Sequence, residues 1–302
     1  MQDVHTIGFI GAGMLGAPMA ENLLADGFQL RIYNRDRDKC ASLIKAGAQA
    51  VDHPWEVAET AGLVFSCVSD DPALEAVVGP EAELARRLGS GGVHVSMSTI
   101  LPRTATRLAA QQNDVNGYYV AAPVMGRPDA VRARKQTYFV AGPAEGKVRA
   151  VPVLERLGLR VFDFGTDPAQ ANVAKLGANF LIAASIESMA EAATFVEKNG
   201  GDPAALMNAL TQTIFGCPVY QNYGRQILEG TFSPPLFKLP LGLKDVRLIK
   251  TTAAEAAAPM RFAEVLESRF LSAMAHGRDE QDWTAISAEV RNEAGLGRPP
   301  SP

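Results

Sequence analysis

The chain has 302 residues, 47% of them hydrophobic, enough for a large buried core and more than one domain usually packs. Its net charge of -4 at pH 7 and pI near 5.7 exclude a general attraction to nucleic acid or to anionic membranes and leave a small molecule as the expected partner. Three separated cysteines (Cys40, Cys67, Cys217) and four scattered histidines form neither a disulfide framework nor a zinc-ligand set, so no metal is expected and a reducing, cytoplasmic location is.

In chain order, the first apolar stretch runs from Ile7 to Met19. It lacks a basic leader and is punctuated by Gly8, Gly11, Gly13 and Gly16, so it reads as neither a signal peptide nor a membrane span. Short apolar runs then recur up to about Phe164: "HTIGFIG", "QLRIYN", "GLVFSCV", "GGVHVSM", "NGYYVAA", "TYFVAG" and "LRVFDFG". Helical patterns of ten or so residues separate them. That alternation predicts an α/β domain with a doubly wound, mostly parallel sheet covered on both faces, over residues 1–166.

After "FGTDPAQ" the strand signal ends. A helical pattern runs from about Ala169 to Lys198, roughly 45 Å at 1.5 Å per residue. Asp202-Pro203 is a capping signal for the next helix, and further helical patterns cover Val219 to Glu229, Leu241 to Ala257 and Pro259 to His276. The second domain, residues 167–294, is therefore expected to be all-α, joined to the first through the long helix. The tail 295–302, "GLGRPPSP", is expected to be disordered.

Two short stretches carry chemistry. In "TIGFIGAGMLGAPMAENLL", Gly11, Gly13 and Gly16 occupy the G-x-G-x-x-G positions between a strand and a helix. Gly11 permits the tight turn, Gly13 lets backbone approach a pyrophosphate, and Gly16 lets helix pack on strand, with Ala12, Met14 and Leu15 filling the loop. The helix N-terminus would then meet the phosphates. The next strand ends at Asn34-Arg35, where an NAD-specific site usually carries an acidic residue. An arginine there can hold a 2'-phosphate by forked, charge-assisted hydrogen bonds, which favours NADP over NAD. The alternative is that Arg35 only opens the charged helix "RDRDK" and faces water.

The second stretch is "VAKLGANFLIAAS", where Lys175 and Asn179 lie four residues apart on one face of an apolar helix. A lysine so placed either snorkels to solvent or is used.

Taken together, several ordered motifs resemble the β-hydroxyacid dehydrogenase family, relatives of 3-hydroxyisobutyrate dehydrogenase and of the glyoxylate/succinic semialdehyde reductases. They are "GFIGAGMLGAPMAENLL", "YNRDRDK", "MST" at Met97 to Thr99, "AAPVMGRP" at Ala121 to Pro128, "AKLGANF" at Ala174 to Phe180 and "LKD" at Leu243 to Asp245. The resemblance spans nearly the whole chain. It implies an N-terminal dinucleotide domain, an all-helical second domain joined through a long helix, and dimeric or higher association. That helix, apolar on most of its circumference, is also expected to pass through a subunit interface, since the helical domain alone offers too little core to bury it. It also implies that Lys175 is the catalytic acid/base with Asn179 as its partner. Val68, Ser69 and Thr99 would lie at the cofactor, Thr99 also near the substrate, and Lys244 would reach the cofactor from the second domain. Phe237 and Asp245 would border the substrate pocket. Thr99 reads equally well as a helix N-cap before Pro102.

The resemblance is broken in one loop. The family's D-A-P-V-S-G-G reads here Ala121-Ala122-Pro123-Val124-Met125-Gly126-Arg127. The serine and paired glycines that hold a substrate carboxylate are thus reduced to Met125, Gly126 and Arg127. Arg127 either binds an anion itself or faces solvent while Met125 fills space.

The expected function is hydride transfer between NADP(H) and a small aldehyde, semialdehyde, keto acid or hydroxy acid. Two alternatives stand beside it. Imine reductases share the architecture but typically carry aspartate or tyrosine in place of the lysine, and a cofactor-binding homologue without turnover would keep the fold with an altered loop.

Overall fold

The computed structural model describes residues 5–297. Strands β1 (Thr6–Ile10), β2 (Gln29–Tyr33), β3 (Gln49–Ala50), β4 (Leu63–Ser66), β5 (Val93–Ser96) and β6 (Tyr118–Ala121) form one sheet, entirely parallel, in the order β3-β2-β1-β4-β5-β6. β4 and β5 are buried at every residue, as a sheet covered on both faces requires. One face packs a core containing Phe9, Met19, Leu23, Phe65 and Tyr138; the other packs Ile10, Val64, Leu74, Leu108 and Tyr119.

The helices of this unit are α1 (Gly16–Ala25), α2 (Ala41–Lys45), α3 (Asp71–Val78), α4 (Glu83–Leu88), α5 (Pro102–Asn113), α6 (Pro128–Arg132) and α7 (Ala144–Leu157). The strand order reverses direction between β1 and β4. This is the switch point where an open α/β sheet leaves a crevice at the carboxyl ends of its strands.

The last two β runs behave differently from the expectation. Three strands, β7 (Val124–Met125), β8 (Thr137–Val140) and β9 (Arg160–Asp163), form a separate small sheet in which β7 pairs antiparallel with β8 and β8 parallel with β9. An antiparallel bridge from Ala121 to Ala141 links it to the end of β6. β7 and β3, two residues each, are too short to leave a periodic signature.

Helix α8 (Pro168–Lys198) follows. The boundary between compact units falls inside it: one unit extends through Lys175 and the next begins at Leu176. Ala171, in the first turn of α8, belongs to the core of the first unit.

The second unit continues with α9 (Pro203–Thr211), α10 (Pro218–Glu229), α11 (Leu239–Glu255), α12 (Arg261–Ala275) and α13 (Ile286–Glu293). Asp202 caps α9 by accepting the Ala204 N–H at 2.8 Å. Its core gathers Ile186, Met189, Phe270, Trp283 and Ile286. Gly242 lets α11 meet α12, since a Cβ there would lie 2.5 Å from the Phe270 ring. Of the tail expected to be disordered, Gly295 and Leu296 close α13 through backbone bonds to Asn292 and Arg291, and residues 298–302 lie outside the described residues.

Apolar residues also remain on the surface of the second unit. Leu181 is 65% and Phe195 68% exposed on α8, and Ile214 beyond α9 is 78% exposed. The long helix is thus not buried all round within one chain.

Candidate active site

The glycine turn has the geometry its sequence requires. Gly11 adopts φ +103, and a Cβ there would lie 2.2 Å from the Cys67 carbonyl oxygen; one on Gly16 would lie 1.9 Å from the Gly11 carbonyl oxygen. Neither position admits a side chain. Gly13 is different. A Cβ on it would meet nothing within 4 Å, so its glycine answers no demand of the fold. Gly13 and Met14 are exposed beside Leu15, the N-cap of α1, which supplies no side-chain cap to the helix N–H groups. An uncapped helix start beneath bare backbone fits a pyrophosphate, so these residues fit a dinucleotide.

Asn34 and Arg35 divide their roles. Asn34 Oδ1 accepts the Ala12 N–H at 2.8 Å while its Nδ2 donates to the Asp36 carbonyl at 2.7 Å, which ties the end of β2 to the glycine turn. Arg35 is exposed. Of the nearby acids, Asp36 accepts the Asp38 N–H and lies 3.7 Å from Lys39, and Asp52 is paired with Arg37.

The loops after β4 and β5 lie on the other side of the switch point. The Val68 N–H donates to Ser98 Oγ at 2.9 Å, and the Ser69 hydroxyl donates to Asp70 at 2.9 Å. Burial pushes the Cys67 thiol up to about 12, which makes it unreactive at neutral pH. Beneath them, His94 lies 2.8 Å from Ser66 Oγ, and burial lowers its pKa to about 4, so it is a neutral member of the core. Thr99 is half-buried. It is not the N-cap of α5: that position is Leu101, so the capping alternative falls.

Lys175 is buried, with 8% exposure, and its Nζ lies 3.2 Å from Met125 Sδ. Snorkelling is therefore excluded. Met125 is placed by β7 opposite Thr137, and Gly126 is explained by packing, since a Cβ there would lie 2.6 Å from Gln136 Cβ. Arg127 donates to Asp129 at 3.1 Å from the start of α6.

In the second unit, Asn179 Nδ2 donates to Asp245 Oδ2 at 2.5 Å, with both residues buried. Lys244 Nζ makes a charge contact at 2.9 Å with the other oxygen of Asp245. The Phe237 ring packs edge-on against Trp283 at 4.9 Å, and its N–H donates to the buried Asp282 carboxylate. A cavity of about 690 Å³ lies among α8, α9, α10 and α13, and none of the expected site residues lines it. Sequence reasoning missed Ser98 and Asp282, whose partners are distant in the chain.

Residues 6–165 match the NAD binding domain of 6-phosphogluconate dehydrogenase, and residues 169–289 match the NAD-binding domain of NADP-dependent 3-hydroxyisobutyrate dehydrogenase. A two-domain, nicotinamide-nucleotide-binding oxidoreductase fold is thereby defined. An uncharacterized oxidoreductase of Bacillus subtilis is 38% identical over 93% of this chain and 98% of its own. The 3-hydroxyisobutyrate dehydrogenase of Pseudomonas aeruginosa is 33% identical over 70% of each. The solved 3-hydroxyisobutyrate dehydrogenase of Mycobacterium tuberculosis shares the fold, with a TM-score of 0.85 at 20% identity over 95% of this chain and 99% of its own. The chain belongs to the β-hydroxyacid dehydrogenase family.

The contrast among the glycines is testable. Gly13→Ala is expected to fold with an unchanged melting temperature and to lose nicotinamide nucleotide binding, whereas Gly16→Ala is expected to be destabilised. Thermal melts with fluorescence titration check this; a Gly13→Ala protein that binds normally would remove Gly13 from the phosphate site.

Proposed function

We propose that the protein is an NADP-dependent carbonyl reductase or hydroxyacid dehydrogenase in which Lys175 is the general acid/base. The observation that carries this reading is the burial of the Lys175 ammonium with its head against the Met125 thioether. A lysine is rarely held so far from water without a use.

The nicotinamide supplies a hydride to the carbonyl carbon in reduction and accepts one in oxidation. As negative charge develops on the carbonyl oxygen, Lys175 Nζ stabilises it and transfers a proton to it, leaving an alcohol; the lysine then regains a proton from solvent. In oxidation the neutral amine removes the hydroxyl proton. Asn179, one turn along α8, is oriented by its hydrogen bond to Asp245. Lysine at this position favours C=O over C=N reduction, the family relatives that act on imines typically having aspartate or tyrosine there. A non-catalytic homologue would have no need for a buried lysine at this point.

Lys175→Ala is expected to lower kcat at least about a hundredfold while NADPH binding and folding survive, the scale of general acid catalysis with electrostatic support. Near-normal turnover by this variant on the best substrate would return the lysine to a structural role.

Preference for NADP rests on Arg35, exposed at the end of β2 with Asp36 and Asp52 engaged elsewhere. Arg35→Ala is expected to cost about 1.5–3 kcal/mol of NADPH affinity and little NADH affinity, the worth of a hydrogen bond to a charged group. Equal binding of both nucleotides by the unmodified protein would contradict the assignment.

Self-association is supported by the uncovered apolar side chains of Leu181, Phe195 and Ile214 in the second unit. Analytical sedimentation should show a dimer or tetramer at micromolar concentration, and a stable monomer would contradict it.

A further inference from the structure

Two aspartates begin α3, and they do different things. Asp70 acts locally: it caps α3 by accepting the Ala73 N–H at 2.8 Å and takes the Ser69 hydroxyl. The Asp71 carboxylate instead reaches the loop after β5. Its Oδ1 accepts the Leu101 N–H at 3.0 Å and the Thr104 hydroxyl, with Oδ2 3.3 Å from the same N–H. Leu101 is the N-cap of α5 and has no capping oxygen of its own. The carboxylate thus does from another helix what a capping residue would do from within, where the positive end of the α5 dipole favours negative charge.

A second pin lies three residues earlier, where Ser98 Oγ accepts the Val68 N–H at 2.9 Å. Ser98 and Ile100 are buried on either side of the half-buried Thr99. Thr99 is therefore carried on a short bridge fixed at both ends to the segment following β4, and β4 neighbours β1 at the switch point.

We infer that Asp71, with Ser98, positions the Thr99 loop for the nicotinamide nucleotide. Asp71 is a positioning residue, acting through the loop it holds. This rests on the nicotinamide reading given above. A rigid loop loses less conformational entropy on binding, so loosening it weakens the nucleotide without removing a contact.

The test combines amide hydrogen exchange without nucleotide and NADPH titration on Asp71→Ala, Asp71→Asn, Ser98→Ala, Thr99→Val and the Asp71→Ala/Thr99→Val double variant. In Asp71→Ala the Leu101 amide is expected to exchange at least about tenfold faster, and NADPH to bind about tenfold more weakly, the loss of one hydrogen bond to a charged group. Asp71→Asn should restore most of both, because its amide oxygen accepts from the same donors. Thr99→Val should cost less in the Asp71→Ala background than alone, as coupled sites do. Full additivity, or unchanged Leu101 exchange in Asp71→Ala, would overturn the inference on its own. If Asp71→Ala does not fold, Ser98→Ala decides: several-fold weaker NADPH binding is expected, and unaltered binding overturns it. An unmodified protein that binds neither NADPH nor NADH would instead remove the nicotinamide reading, and this inference with it.

Discussion

The close approach of Gly16 to the Gly11 carbonyl is the constraint from which the rest of the first unit follows. With a Cβ at Gly16 only 1.9 Å from that oxygen, α1 can start where it does only if the residue is glycine. The start of α1 then lies against the end of β1, beside the point where the strand order reverses. Everything placed around that point is arranged by hydrogen bonds from neighbouring strand ends: Asn34 to Ala12 from β2, and Ser98 to Val68 between the segments after β5 and β4. The glycines admit the close backbone approach at the turn, and the polar bonds hold the surrounding backbone in place. Neither kind of device would serve without the other.

The chemistry depends on a different balance. Burying an ammonium is costly unless something nearby is arranged to use it. Lys175 lies in the first unit with Met125 at its head, while Asn179, four residues on, lies in the second with Asp245. One helix therefore carries a buried lysine and an amide one turn apart. The Met125 thioether, where the family pattern has a hydroxyl, leaves that region less polar, and Arg127 donates to Asp129.

Much of this was legible in the residues. The glycine spacing, the strand alternation up to Phe164 and the 31-residue helix are strong local signals, and the last was located to within one residue. The separate sheet of β7, β8 and β9 was not legible, because β7 is two residues long and its pairing with β8 crosses the α6 segment. Arg35, expected from the sequence to favour a 2'-phosphate, is exposed at the end of β2, and the role of Asn34 in fixing the glycine turn was not legible, since its partner lies 22 residues away. Asp70 and Asp71 are identical neighbours in sequence. Only their placement, one turned along its own helix and the other across to α5, separates a local cap from a clamp.

In the proposed carbonyl reduction, Lys175 delivers the proton. Its most direct test is incubation of the unmodified protein with NADPH deuterated at the transferable position and a panel of small aldehydes, semialdehydes, 2-keto acids and cyclic imines, with products read by mass spectrometry. The account predicts an alcohol carrying deuterium on the former carbonyl carbon from at least one oxygen substrate, formed faster than any amine from the imines. Tight NADPH binding with no labelled alcohol, or label only in an amine, would contradict it.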